Sequence, residues 1–453
     1  MLRNEQFVKK TIGNSIYLLP IGQMIADMFP GIRINSTCAF VWEQLKTDIT
    51  FNELLECCIK EYAATDEDIP LLEKDIAGLI TQLKNRGMLK GSKNKFKCSC
   101  SLCSTGAPIP EPLYGGICRD MKTAGAEAAP FYGNFYIGGL QVDMYGKPGY
   151  FAEAFESFRV SENSVPSPEK NPGMKSPMHI EVIDTDTIAP DTKDAENCYY
   201  DAVTPGLPDS SDYETHRKII IHHPDLTVLE YTEKYVLFFT VLDGIEELHL
   251  KKDGSLAYFY CKSPSETVRD CLFNAIRMAF LIYALHHDRV MLHSCSILFN
   301  DKVWAFSAPS GTGKSTHAGL WEKLYGVSQV NGDLNLIGME CGQAYTYGTP
   351  WCGSSGVYDT GRRRLGGIIL LKRGSENRIA TLTEEEKILH VEQRLITSVW
   401  DEDGLDRLLK VVTELVSGIY VRRLYCTMDD EAAIVIHDDI EKYEGIKTEN
   451  TES

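Results

Sequence analysis

The sequence predicts an α/β protein, α+β overall, in which a small amino-terminal module of strands and helices precedes a larger mixed-sheet domain. Three observations predict it. From Ile219 onward β-like runs alternate with helical ones. The run Ala308-Pro309-Ser310-Gly311-Thr312-Gly313-Lys314-Ser315-Thr316 joins an apolar strand to a helix. The amino-terminal segment carries turn and capping signals of its own.

The loop is the chemically richest segment. Its glycines let successive backbone N–H groups turn toward phosphate oxygens, Lys314 adds a point charge for the β/γ-phosphates, and Ser315 offers a hydroxyl to Mg²⁺. The usual G-x-x-x-x-G-K-[ST] pattern begins with glycine, whereas this chain has Ala308. Context compensates. Val290–Phe299 and Lys302–Ser307 read as strands joined by the two-residue turn Asn300-Asp301, and the second strand runs straight into the loop. Lys314 to Tyr325 then reads as a helix stopped by Gly326. Nucleotide binding follows, with ATP and Mg²⁺ the expected pair; an ordinary glycine turn is the alternative.

Composition narrows the function classes. With 453 residues the chain is long for one domain, and 46 basic against 64 acidic residues give a formal charge of −18. That balance argues against a nucleic-acid or anionic-membrane partner. No apolar run reaches transmembrane length and the first residues lack the apolar stretch of a signal peptide, so a cytoplasmic enzyme is expected. The 14 cysteines then read as thiols or metal ligands rather than a disulfide framework. Cys98, Cys100 and Cys103 form a C-x-C-x-x-C cluster that can hold Zn²⁺ if Cys118 or a more distant Cys or His completes it. A surface loop of free cysteines is the alternative.

The expected organisation is a module at 1–92, a Cys-containing linker at 93–129, a large domain at 130–440 and an acidic tail at 441–453. Segments near 161–178 and 190–213, rich in Pro, Ser, Asp and Glu, read as mobile insertions. Between them Ile180–Ile183 reads as an isolated strand. In the module, Gly13-Asn14 signals a hairpin and Gly31–Asn35 a third strand. Three helices follow, the first capped by Ser36, the second by the Thr50/Glu53 capping box, and the third running from Asp66 to Gly87 with Leu72, Ile76, Leu79 and Leu83 as its apolar stripe. In the large domain, 227–231, 235–241, 256–260, 366–371 and 419–425 read as strands and 266–286 as a helix.

Phosphoryl transfer requires a nucleotide cradle, a carboxylate and positive charge near the moving group. Asp333, closing the short run Gln329-Val330-Asn331-Gly332-Asp333, is the candidate carboxylate for Mg²⁺ or proton management; a turn residue beside Gly332 is the alternative. His293, ahead of the hairpin, is the candidate proton relay, against the plainer reading of a buried strand histidine. Arg362, Arg363 and Arg364 offer a cation for transition-state charge or for an acidic peptide, unless they are a solvated charge run. The pairs His222-His223 and His286-His287 read as structural.

Two resemblances attach to these residues. The module resembles the PqqD-like element that recognises leader peptides of ribosomally made, post-translationally modified peptides. It does so through Tyr17-Leu18-Leu19-Pro20, Ile34-Asn35-Ser36-Thr37, Val41-Trp42-Glu43-Gln44-Leu45 and Leu83-Lys84-Asn85-Arg86-Gly87-Met88-Leu89. The resemblance implies a leader added as a strand along Gly31, Ile32, Arg33, Ile34 and Asn35 and packed on the third helix; an oligomerising or structural winged helix is the alternative. Residues 130–440 resemble the HPr kinase family, whose P-loop fold is related to phosphoenolpyruvate carboxykinase. The carriers are Leu292-His293-Ser294, the loop through Thr316, and Asn331-Gly332-Asp333.

That second resemblance implies a histidine near the transferred phosphate and an Asp-Asp pair dividing base and metal duties. Here Gly332-Asp333 stands in the pair's place. Asp333 must then serve both duties, or His293 must take the proton. The family's signature for protein dephosphorylation has no clear counterpart. Together the resemblances imply an ATP- and Mg²⁺-dependent kinase acting on Ser or Thr of a precursor peptide held by its leader, with a homo-oligomer left open. A nucleotide-gated peptide-delivery module and a small-molecule kinase with a docking domain are the alternatives.

Overall fold

The computed structural model describes residues 1–26, 31–90, 129–160, 176–188, 218–309 and 311–445. The expected zinc ligands Cys98, Cys100 and Cys103, most of the linker, of both insertions and of the acidic tail, and Ser310 of the loop lie outside the described residues. The protein is mixed α/β and forms two compact units, one holding residues 1–90 and the other the bulk of 129–445. The described cysteines are free thiols. No helix among the described residues is long and apolar enough to cross a membrane.

The first unit is a winged-helix arrangement. Strands β1 (Phe7–Ile12), β2 (Ser15–Pro20) and β3 (Ile32–Ile34) pair antiparallel in that order. Gly13 turns the hairpin with φ +57°. Helix α1 (Ser36–Gln44) is capped by Asn35, whose Oδ1 accepts Cys38 N–H at 2.8 Å. The cap is therefore Asn35 and not Ser36, which is the first helical residue: the extended backbone at Asn35 lets its side chain satisfy an orphan N–H. Helix α2 (Phe51–Tyr62) carries the expected Thr50/Glu53 capping box. Helix α3 (Ile69–Asn85) starts three residues later than Asp66. Pro70 suits its first turn, while the Asp68 carboxylate is engaged by Thr65. Ile76 and Leu83 are buried and Leu72 and Leu79 pack beside them, over a core of Phe7, Leu18, Val41, Trp42 and Leu54.

The second unit contains two sheets. The first has eight strands: β4 (Phe131–Ile137), β5 (Leu140–Tyr145), β6 (Met178–Asp184), β7 (Lys218–His223), β8 (Leu226–Glu230), β9 (Lys234–Phe239), β10 (Ile245–Lys251) and β11 (Leu256–Cys261). Their order is β4-β5-β6-β11-β10-β9-β8-β7. The segment read as an isolated strand is therefore interior: β6 pairs in parallel with both β5 and β11. Helix α4 (Glu266–Leu285), capped by Ser265, buries Leu272, Ile276 and Phe280.

The second sheet carries the phosphate loop. Its strands are β12 (Arg289–Phe299), β13 (Lys302–Ser307), β14 (Ser328–Asn331), β15 (Leu334–Glu340), β16 (Gln343–Tyr347), β17 (Arg362–Arg373), β18 (Arg378–Thr381), β19 (Leu395–Ile396) and β20 (Tyr420–Cys426), with helices α5 (Lys314–Tyr325), α6 (Glu384–Glu392), α7 (Glu402–Gly418) and α8 (Asp430–Glu444). Two long strands hold it together. The amino-terminal half of β12 pairs with β15 and its remainder with β13, while β17 pairs first with β16 and then, in parallel, with β13 and β20. The Asn300-Asp301 turn has φ +50° and +58°, the two positive values that a type I′ hairpin requires. Trp304, Phe306, Trp321, Ile369, Leu424 and Ile436 form the core beneath the loop.

His317 on α5 sits in that core, edge-on to Phe306 and accepting the Trp321 indole N–H at 3.3 Å. Burial pulls its pKa down from 6.5 to about 4. The unfolded chain therefore takes up this proton first as pH falls. The stability tied to neutral His317 is complete above about pH 6.5 and is lost on the way to pH 4, about 3 kcal/mol in all. Denaturant titrations between pH 7.5 and 5 are expected to show a steeper loss for the wild type than for His317→Leu. Parallel slopes would place the acid sensitivity elsewhere.

Candidate nucleotide and phosphoryl-transfer site

Strand β13 ends at Ser307 and the chain turns through the loop into α5. Gly311 and Gly313 take the left-handed φ values +72° and +105° that the turn needs and side chains resist. No side chain caps α5, so its first N–H groups remain available to an anion. Ser315 and Thr316 are exposed on that first turn. Ala308 does not take a positive φ, and its Cβ belongs to the buried core. Glycine is not required where this chain departs from the usual pattern.

Three of the expected site residues come together. The Lys314 ammonium lies 3.0 Å from His293 Nε2 and 3.4 Å from the Ala308 carbonyl oxygen. His293 Nε2 also lies 3.2 Å from Asp333 Oδ1. Burial first, then the charge of Lys314, lowers the His293 pKa below its ordinary value, and burial lowers that of Lys314. Asp333 opposes both shifts. A neutral imidazole has one lone pair, so Nε2 cannot accept from Lys314 and donate to Asp333 at once. Drawing Lys314 away toward a phosphate frees Nε2 to take a proton and pass its hydrogen bond to Asp333.

Asp333 is held by backbone and buried amides. Its N–H and that of Leu334 both donate to Asn331 Oδ1 at 2.9 Å, and its carbonyl accepts Ser294 N–H. Asn331 Nδ2 donates to the Trp351 carbonyl at 3.2 Å. Beneath, Asn335 donates to Ser294 and accepts from Ser296 at 2.7 Å, tying β15 to β12. All four of Ser294, Ser296, Asn331 and Asn335 are buried. Such a satisfied network fixes position more than it adds stability.

Gly332 stands where the resemblance calls for a first carboxylate. A Cβ there would lie 2.1 Å from Ser355 Oγ, and that hydroxyl is itself bonded to the Cys352 carbonyl and the Val357 N–H. Ser355 occupies the space of the missing side chain. Gly332→Ala is expected to cost about 1–3 kcal/mol through overpacking, and Gly332→Ala/Ser355→Gly to recover most of it. Thermal melts of the two variants check this; equal melting for both would show that the loop simply moves aside.

The arginine run is placed elsewhere. Arg362, Arg363 and Arg364 begin β17 beside β16, paired with Glu340, Asp359 and Gln343 respectively. Ser307, the last residue of β13, registers instead with Leu370. At ~3.3 Å per residue the run lies roughly 20 Å from the loop. The cations at the loop are others. Arg373 donates to the Gly311 carbonyl at 2.6 Å, the Arg394 carbonyl accepts His293 N–H, and Arg277 of α4 feels the charge of Asp333. Lys372-Arg373 was findable, since the carboxyl ends of parallel strands face ligands; Arg277 and Arg394 carry no local signal. In the first unit, Gly31–Asn35 brackets β3, which pairs on one side with β2 and has no second strand partner among the described residues.

Comparison with known proteins gives a family match and likenesses to solved structures. Residues 30–89 match the family described as Coenzyme PQQ synthesis protein D (PqqD). The solved structure of the Hpr(Ser) kinase/phosphatase from Coxiella burnetii is similar at 11% identity and a TM-score of 0.21, covering 34% of this chain and 99% of that one. Among curated proteins no sequence matches.

Proposed function

We propose that the protein is a cytoplasmic ATP- and Mg²⁺-dependent kinase that phosphorylates Ser or Thr of a ribosomally made precursor peptide, whose leader is held by the amino-terminal domain. One observation carries it: Lys314, His293 and Asp333 converge in one hydrogen-bonded group where an uncapped helix meets a glycine turn. ATP would supply the phosphoryl group and Mg²⁺ would neutralise its charge, with Ala308–Thr316 around the phosphates and Ser315 and Asp333 toward the metal. Lys314 then leaves His293 for the phosphates. The freed Nε2 accepts the proton of the acceptor hydroxyl and shares it with Asp333. The match of residues 30–89 to PqqD supports a peptide partner, and the edge of β3, without a second strand partner among the described residues, suits strand addition.

A specific observation favours a second reading. With Ser355 filling the place of the first carboxylate, a nucleotide-gated peptide-delivery module would need no general base. A competition experiment bears on the peptide half. Leader peptide added in trans is expected to suppress phosphorylation of full-length precursor at low concentration, by removing the tether's local concentration, and to spare a leaderless core peptide at high concentration. Equal inhibition of both would sink the leader-binding assignment.

A further inference from the structure

A cavity of about 490 Å³ opens beside the phosphate loop, between Pro309 and Thr312, the carboxyl end of β17 and the middle of β20. Among the described residues four permanent cations line it, Lys372, Arg373, Arg394 and Arg423, and no carboxylate does. Their pairing is unlike that of two arginines at the opposite end of β17. Arg362 and Arg363 pair with Glu340 and Asp359. Among the described residues none of the four has an ion-pair partner. Arg373 is bonded to a backbone carbonyl, and Lys372 lies over the Tyr425 ring at 5.3 Å. Glu386 feels Arg423, but its carboxylate is held by the Thr383 cap of α6. Burial and the charge of Arg423 lower the pKa of Arg394, the mark of like charges crowded without a counter-ion.

A base and ribose are neutral and do not balance four cations. The triphosphate already has Lys314 and the amino terminus of α5. The remaining participant in a transfer reaction is the acceptor. Resting on the kinase reading above, we infer that this cavity binds carboxylate side chains flanking the acceptor Ser or Thr, so that the preferred substrate is an acidic peptide segment. Bidentate arginine–carboxylate pairs fit the chemistry. The chain's formal charge of −18 repels acidic peptides in general. Selection therefore depends on this local reversal of sign and weakens with salt.

The probes are two labelled leaderless pentapeptides, serine flanked by two glutamates on each side and serine flanked by two lysines on each side. Anisotropy titrations on the full chain with a non-hydrolysable ATP analogue measure binding without any transfer step, so the result stands apart from the fate of the kinase reading. The glutamate peptide is expected to bind and the lysine peptide not. Arg423→Gln is expected to weaken the glutamate peptide roughly tenfold or more with analogue affinity unchanged, and Arg423→Glu to weaken it further. A melting curve for each variant controls for folding. Equal binding of both peptides, an unchanged glutamate peptide in both variants, or loss of the analogue instead would each overturn the inference; the last would put the nucleotide in the cavity.

Discussion

Lys314→Ala is expected to lower phosphoryl transfer by roughly 100- to 1,000-fold, the scale on which a single preorganised donor to a developing charge acts. The effect on stability is expected to be small. In the wild type the ammonium is buried, and burial already lowers its pKa, so its removal relieves a desolvation cost while forfeiting the hydrogen bonds to His293 and Ala308. Leader affinity should not change, because β3 and α3 belong to the other compact unit. Phosphate incorporation followed by mass spectrometry, with a separate leader titration, separates these effects. Full transfer by the variant would remove the loop from the chemistry.

Asp333→Asn is expected to have the second largest effect, a loss of Mg²⁺-dependent turnover by two orders of magnitude or so with nucleotide contact mostly retained. A second readout does not depend on turnover. Asp333 is the group that holds the proton affinities of His293 and Lys314 up against burial. The amide variant should move the His293 titration, followed by NMR, further below its already lowered wild-type position. Activity in the wild type should fall on the acid side as His293 takes its proton, at a pH below 6.5 because the folded-state pKa is lowered. An unmoved His293 titration in Asp333→Asn would mean that the 3.2 Å approach is incidental.

Local signals were legible wherever the backbone obeys its neighbours. Asn300-Asp301 marked a turn because two positive φ values suit those residues, and Thr50 with Glu53 marked a helix start because the box closes within one turn. The strand, glycine loop and helix around Lys314 were legible for the same reason. Position within a sheet was not. Strand β6 read as isolated because its partners, β5 and β11, lie far away in the chain on either side of insertions. The placement of Arg362–Arg364 away from the loop has the same origin. Only the parallel register of β17 with β13 decides which end of the strand meets the loop, and it brings Leu370–Arg373 there. The contact between Gly332 and Ser355 is equally non-local, so the glycine read as a missing carboxylate without the hydroxyl that fills its place.

The most direct measurement is phosphate transfer itself. The full chain is incubated with ATP, Mg²⁺ and a precursor peptide that carries a leader and a Ser/Thr-bearing core, and the product is sequenced by tandem mass spectrometry. A phosphate is expected on a core Ser or Thr, absent without Mg²⁺ and strongly reduced in Lys314→Ala and Asp333→Asn. Nucleotide binding and leader binding with no phosphate on the peptide would contradict the kinase reading and leave a nucleotide-gated carrier.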